Sequence, residues 1–152
     1  MPGLLCEKLK SDYIVVGGSA KRQSEAMLQV SSLLEDHPAV KDFHLLLADL
    51  EEREKLESTC LGNELALPHA RTDAVTEMVI AVGVFPEGVP GPAGQPVKLF
   101  FVIGTPKGMV SDYLVTVGAL ARMMKEEENR QRLITASSPE QFVNSFRAIE
   151  CA

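Results

Sequence analysis

Residues 77–85 read EMVIAVGVF and residues 97–103 read VKLFFVI. Both runs are nearly continuous in apolar side chains and rich in Val, Ile and Phe, and neither alternates with polar residues. Each therefore predicts a strand buried on both faces, with helices supplying the cover. Between them, residues 86–96 (PEGVPGPAGQP) hold Pro86, Pro90, Pro92 and Pro96 with Gly88, Gly91 and Gly94. That composition predicts a surface loop and not a domain linker.

Working outward, residues 13–16 (YIVV) form a short β-branched run stopped by Gly17 and Gly18, which reads as a strand ending in a turn. Ser19 is then placed to cap a helix in which Ala26, Met27, Val30, Leu33 and Leu34 share one face, and which should end before Pro38. A second helix runs from about Asp42 through FHLLLADLEEREKL, with Leu46, Leu50 and Arg53 stacked and the Glu-rich flank facing water. Residues 65–67 predict a brief strand closed by Pro68, which lacks an amide hydrogen for a central ladder and so leaves His69 at a strand end. Farther on, Ser111 or Asp112 is expected to cap a helix with Leu114, Val117, Ala121 and Met124 on one side. Ser138, Pro139 and Gln141 match a capping box, ahead of a buried face of Phe142, Val143, Phe146 and Ile149. The mixed-sign run at 125–132 (KEEENRQR) reads as a solvated helix face. No internal repeat is visible. Strands interleaved with helices predict an α/β fold, a three-layer α/β/α sandwich around a small, mixed sheet. At 152 residues the chain is the length of one domain, spanning 1–152.

Hydrophobic residues make up 45% and charged residues 24%, the balance of a globular protein. No apolar run approaches the roughly 20 residues that cross a bilayer, and the N-terminal MPGLLCEKLK lacks the apolar stretch of a secretory signal, so no membrane insertion and a cytoplasmic location are expected. Cys6, Cys60 and Cys151 form no CxxC pair and no HxxxH spacing occurs, which argues against a metal site or a disulfide framework. The net charge of −6, without a basic stripe, excludes nucleic acid as an expected partner.

Of the three histidines, His37 precedes Pro38 at a helix end and His44 lies on an amphipathic helix, so both read as structural or solvated. His69 differs, because side chains leaving strand ends in α/β chains project into ligand crevices. A neutral imidazole has one free nitrogen lone pair and can accept a transferable group when its other nitrogen donates to a fixed acceptor. For a phosphoryl group, Arg71 is near in sequence, Arg53 is a candidate in space, Thr59 offers a hydroxyl and the helix start near Ser111 offers amides. Two other readings stand beside this one: a packed loop histidine, and a thiol hydrolase built from Cys60, His69 and Asp73. The run VIGTPKGM at 102–109 is not a phosphate loop, since it lacks GK[ST] and Pro106 removes an amide hydrogen.

Read as one piece, residues 52–71 (EREKLESTCLGNELALPHAR) resemble the active-site segment of the type-2 EIIA domains of the bacterial phosphoenolpyruvate-dependent phosphotransferase system (PTS), the fructose, mannitol and nitrogen-regulatory branches. The resemblance extends through FPEGV, VKLFFVI and DYLVTVGALARMM to the final helix. It implies a mixed sheet between helical layers and a histidine phosphocarrier that uses no cofactor or metal. In that family the histidine matching His69 takes phosphate from the phosphocarrier protein HPr and passes it to an EIIB partner. Arg53 matches the arginine that the family keeps near this histidine, and charge stabilisation is its expected role. A freestanding EIIA is the expectation, with no EIIB or membrane segment attached. Two departures stand out. Tyr113 occupies the place where the family commonly has a second histidine; its hydroxyl can donate to a phosphoryl oxygen but cannot share protons near neutrality as imidazole does. Glu64 replaces a small or uncharged residue, and its carboxylate would repel phosphate unless it points away or pairs with an arginine. These departures keep open an alternative, a non-catalytic regulatory module on the same fold that binds a transporter, a kinase or another partner.

Overall fold

The computed structural model describes residues 5–152; the first four residues of the N-terminal stretch discussed above lie outside them. Two long strands dominate, β5 (Val79–Pro90) and β6 (Pro96–Thr105), paired antiparallel. Around them lie β1 (Ile14–Val15), β2 (Cys60–Gly62), β3 (Leu65–Ala66) and β4 (His69–Arg71). The sheet order is β1-β5-β6-β3-β2, with β4 also on β6. Because β1 runs parallel to β5, and β3 and β4 run parallel to β6, the sheet is mixed, as expected.

Alternation along β5 and β6 divides the core in two. On one face Val82, Leu99, Phe101 and Ile103 pack under α3 (Val110–Met123), α4 (Glu127–Ile134) and α5 (Pro139–Glu150), through Leu120, Leu133, Phe142 and Phe146. On the other, Val79, Ala81, Phe100 and Val102 pack under α1 (Gln23–Ser31) and α2 (Phe43–Leu56), through Ala26, Val30, Leu46 and Leu50. The three layers expected from the apolar runs are present. Among the described residues no helix is long and apolar enough to cross a membrane.

Several local expectations are corrected. The proline-rich stretch is not all loop: β5 continues through Pro86 to Pro90, and Val89 pairs with Val97 beyond a register shift after Val84. The irregularity absorbs the missing amide of Pro86, and only Gly91 to Gln95 form the connection. Ser19 does not cap α1. The chain first ties Gly18 N–H to the Val84 carbonyl at 2.8 Å, and Arg22 occupies the N-cap without a side-chain bond. Helix α3 opens at Val110 with Met109 as its N-cap, so Ser111 and Asp112 lie in its first turn. Its buried stripe is Thr116, Leu120 and Met124, whereas Leu114 is 62% exposed. Asp42 and Ser138 do cap their helices, accepting from Leu45 N–H at 3.1 Å and Gln141 N–H at 3.0 Å. The Gln141 side chain reaches Ser137 instead of closing the box on Ser138.

Candidate active site

Pro68 interrupts one strand without ending it. Leu65 opposite Leu99 and His69 opposite Ile103 keep a single register along β6. Proline lacks a donor, but the Pro68 carbonyl accepts from Ile103 N–H at 2.9 Å, and pairing resumes at once. His69 is thus the first residue of β4 and not the last of a strand, held by the ladder to β6. Its Nδ1 lies against the Leu67 carbonyl. A carbonyl only accepts, so this contact selects the tautomer with the proton on Nδ1 and leaves the Nε2 lone pair free.

Three elements meet at this imidazole. The ring of Tyr113, from the first turn of α3, lies with its centroid 5.2 Å from that of His69 at an interplanar angle of 56°. From the last turn of α2, Arg53 donates to the Glu57 carbonyl at 2.9 Å and stands near enough for its charge to oppose protonation of His69. Glu54, next along the helix, accepts from the Thr59 hydroxyl at 2.6 Å and from Thr59 N–H at 3.0 Å, and its charge acts on His69 in the opposite sense. Sequence reasoning placed the glutamates of this helix in water and assigned no role to Glu54. The signal for it was its place next to Arg53 at the helix end, where one turn of helix faces the same sheet edge.

Burial is the largest influence on the imidazole, which is only 9% exposed, and it pushes the His69 pKa below its ordinary 6.5. The Leu67 carbonyl works against that shift, Arg53 adds to it and Glu54 opposes it. The ring is therefore neutral at pH 7. Below about pH 6.5 the unfolded chain takes up a proton that folded His69 resists, so native stability should fall as pH drops through this range toward the lower folded value. His37, also depressed by burial, adds in the same direction. A proton NMR titration should find the His69 midpoint below 6.5; a midpoint at or above it would contradict this account of the site.

Of the other expected residues, Arg71 is exposed and shares the His69 face of β4 by strand alternation. Thr59 is buried with its hydroxyl committed to Glu54. Glu64 neither points freely at the site nor stands alone. It sits in the tight β2–β3 turn, where Asn63 and Glu64 both adopt positive φ, and its carboxylate pairs with Lys98 at 3.2 Å and Arg130 at 3.5 Å. The thiol-hydrolase arrangement is not assembled. Cys60 accepts from Gln23 and burial pushes its pKa up, while Asp73 pairs with Lys107 at 3.4 Å. Among the described residues no group of three His, Cys, Asp or Glu side chains is arranged to hold a metal ion.

Comparison with known proteins finds relatives along nearly the whole chain. A family model described as "Phosphoenolpyruvate-dependent sugar phosphotransferase system, EIIA 2" matches residues 7–148. The mannitol-specific phosphotransferase enzyme IIA component of Bacillus subtilis is 29% identical over 144 residues, covering 93% of this chain and 97% of that protein. The fructose-specific EIIA component of Haloferax volcanii is 35% identical over 105 residues, 68% of each chain. Among solved structures, the nitrogen regulatory protein IIA-Ntr of Neisseria meningitidis superposes with a TM-score of 0.84 at 27% identity, over 93% of this chain and 98% of that one. The Escherichia coli IIA mannitol protein, in complex with phosphorylated IIB, shares the fold with a TM-score of 0.80 at 21% identity, over 93% and 98% of the two chains. With the match running over residues 7–148, the chain belongs to the EIIA type-2 family of the phosphoenolpyruvate-dependent sugar phosphotransferase system.

Proposed function

We propose that this chain acts as one EIIA unit, a histidine phosphocarrier in the cytoplasm that receives phosphate from phospho-HPr on Nε2 of His69 and delivers it to an EIIB-type partner. The observation that carries the reading is the fixed tautomer: a neutral ring, its Nδ1 against the Leu67 carbonyl, at the head of β4 and within the field of Arg53. The Nε2 lone pair attacks phosphorus and forms the new N–P bond. The donor N–P bond breaks, and its electron pair returns to the donor imidazole, which takes a proton from water. The proton on Nδ1 of His69 stays with the Leu67 carbonyl throughout. In transfer to EIIB the partner's acceptor group attacks phosphorus, the Nε2–P bond breaks, and its electron pair returns to Nε2, which regenerates the neutral His69 ring with its proton still on Nδ1.

Such loose transition states are catalysed by positioning and electrostatics. Arg53 supplies the charge, Arg71 adds positive potential on the same face, and the Tyr113 and Thr59 hydroxyls are donors to the phosphoryl oxygens. For Thr59 this means exchanging Glu54 for phosphate. Arg53→Gln should slow phosphorylation by about a hundredfold while leaving the fold intact, as measured by transfer from phospho-HPr and by circular dichroism. An unchanged rate would remove Arg53 from the chemistry.

The partner surface of this reading is the outer face of α3. Val110, Tyr113 and Leu114 share that face at i, i+3 and i+4, and Val110 and Leu114 are 40% and 62% exposed beside the ring that touches His69. Leu114→Glu should therefore weaken transfer by about tenfold without changing thermal stability, because a charge is introduced at the centre of an apolar contact. Equal transfer by this variant would place the docking face elsewhere.

One observation favours a second reading, a regulatory EIIA module that binds a transporter or kinase without turnover. Tyr113 stands over a histidine that is only 9% exposed. Incubation with phosphoenolpyruvate, enzyme I and HPr separates the two. The carrier reading expects an acid-labile phosphate on the protein, and its absence at high donor concentration would leave the regulatory one.

A further inference from the structure

On the layer opposite α3, a cavity of about 530 Å³ opens between α1 and α2. Its walls are apolar, formed by Met27, Leu28, Leu47, Pro68 and Phe100. Leu28 is 52% exposed at this cavity, a large apolar side chain left without cover. Volume and lining are those of small-molecule sites, which combine an apolar body with a few placed polar groups.

The polar groups narrow the ligand. Ser31 lines the cavity, is fully buried, and its hydroxyl has no hydrogen-bond partner among the described residues. The next residue shows the usual alternative: the Ser32 hydroxyl donates back to the Leu28 carbonyl at 2.8 Å. A buried hydroxyl without a partner is costly, and a small rotation of the Ser31 side chain toward the cavity would let a ligand polar atom remove that cost. Glu51, Glu54 and Lys55 complete the lining. The two carboxylates outweigh the one cation; among the described residues Glu51 is the free one, while both Glu54 oxygens already accept from Thr59. On a chain of net charge −6 this favours a positive ligand and disfavours an anion.

We propose that the α1–α2 cavity is a binding site for a small amphipathic amine, with its apolar body against Met27, Leu28 and Phe100, its ammonium at Glu51 and Glu54, and one neutral polar atom at the Ser31 hydroxyl. The site adjoins His69 through Pro68 and shares with it Glu54, whose carboxylate also holds Thr59, and the proposal concerns binding alone. It stands whether or not the carrier reading does.

Tyramine carries all three elements and serves as the probe; phenethylamine lacks the neutral polar atom, and 4-hydroxyphenylpropionate exchanges the ammonium for a carboxylate. In amide NMR titrations tyramine should produce saturable shifts at Gln23, Ser24, Leu28 and Ser58. The carboxylate analogue should bind at least about tenfold more weakly, a factor expected of one charge-assisted contact. Glu51→Gln should lower tyramine affinity several-fold. Ser31→Ala, which a helix tolerates, should erase the preference for tyramine over phenethylamine. Equal binding of amine and acid, shifts that do not saturate or fall elsewhere, or affinities indifferent to both substitutions would overturn the proposal.

Discussion

His69→Ala protein, incubated with phosphoenolpyruvate, enzyme I and HPr, is expected to acquire no acid-labile phosphate under conditions that label the wild type fully. The expected loss exceeds about a thousandfold, because deleting a nucleophile removes the covalent route and leaves only the surrounding electrostatics. The fold should survive the change, since β4 is held to β6 by backbone bonds such as Ile103 N–H to the Pro68 carbonyl, and no other side chain depends on the imidazole for a hydrogen bond among the described residues. Circular dichroism and the melting temperature would distinguish a lost nucleophile from a lost fold. Residual labelling of the variant would point to another acceptor. His37 offers none of the same geometry, because its Nδ1 accepts from Ala39 N–H and its ring leans on Tyr13 at 4.6 Å.

The second large effect concerns stability. Phe101 is fully buried on β6, with Phe142 and Phe146 of α5 each 6.2 Å away, ring centroid to centroid. Phe101→Ala would open a cavity where the sheet meets its final helix, at a cost of about 3–5 kcal/mol. Against a total of roughly 5–15 kcal/mol for a domain, that is a large fraction, and the melting temperature should fall by roughly 10 °C or more. A shift of only about 2 °C would mean that α5 is not the principal cover of this face of the sheet.

How far the chain could be read in advance depended on how local each determinant was. The two central strands were legible because unbroken apolar runs leave no solvent-facing side, and burial of Phe100, Phe101 and Val102 meets that expectation. Asp42 and Ser138 were legible because a cap is a contact within three residues. The proline-rich stretch was not, since whether Pro86 sits in a strand depends on a register irregularity set by β6, between the pairs Val84–Leu99 and Val89–Val97. Helix α3 misled for a similar reason: Leu114 and Thr116 trade places between inside and outside according to which stripe meets Met78 and the sheet. At the site, Pro68 and the His69 that opens β4 were conspicuous in sequence, and the family segment singled out Arg53. Glu54 was hidden among exposed glutamates and becomes visible only when Thr59 folds back against it. Glu64 carried an expected repulsion that Lys98 and Arg130 offset, and neither partner is near it in sequence.

Everything functional here depends on a neutral imidazole whose Nδ1 is committed to the Leu67 carbonyl. The direct measurement is nitrogen-15 and phosphorus-31 NMR on histidine-labelled protein before and after exposure to phospho-HPr. The structure predicts the Nδ1–H tautomer of His69 in the free protein and phosphorus bonded to Nε2 of that residue afterwards. Phosphorus on Nδ1, on His37 or His44, or on no histidine at all would contradict it.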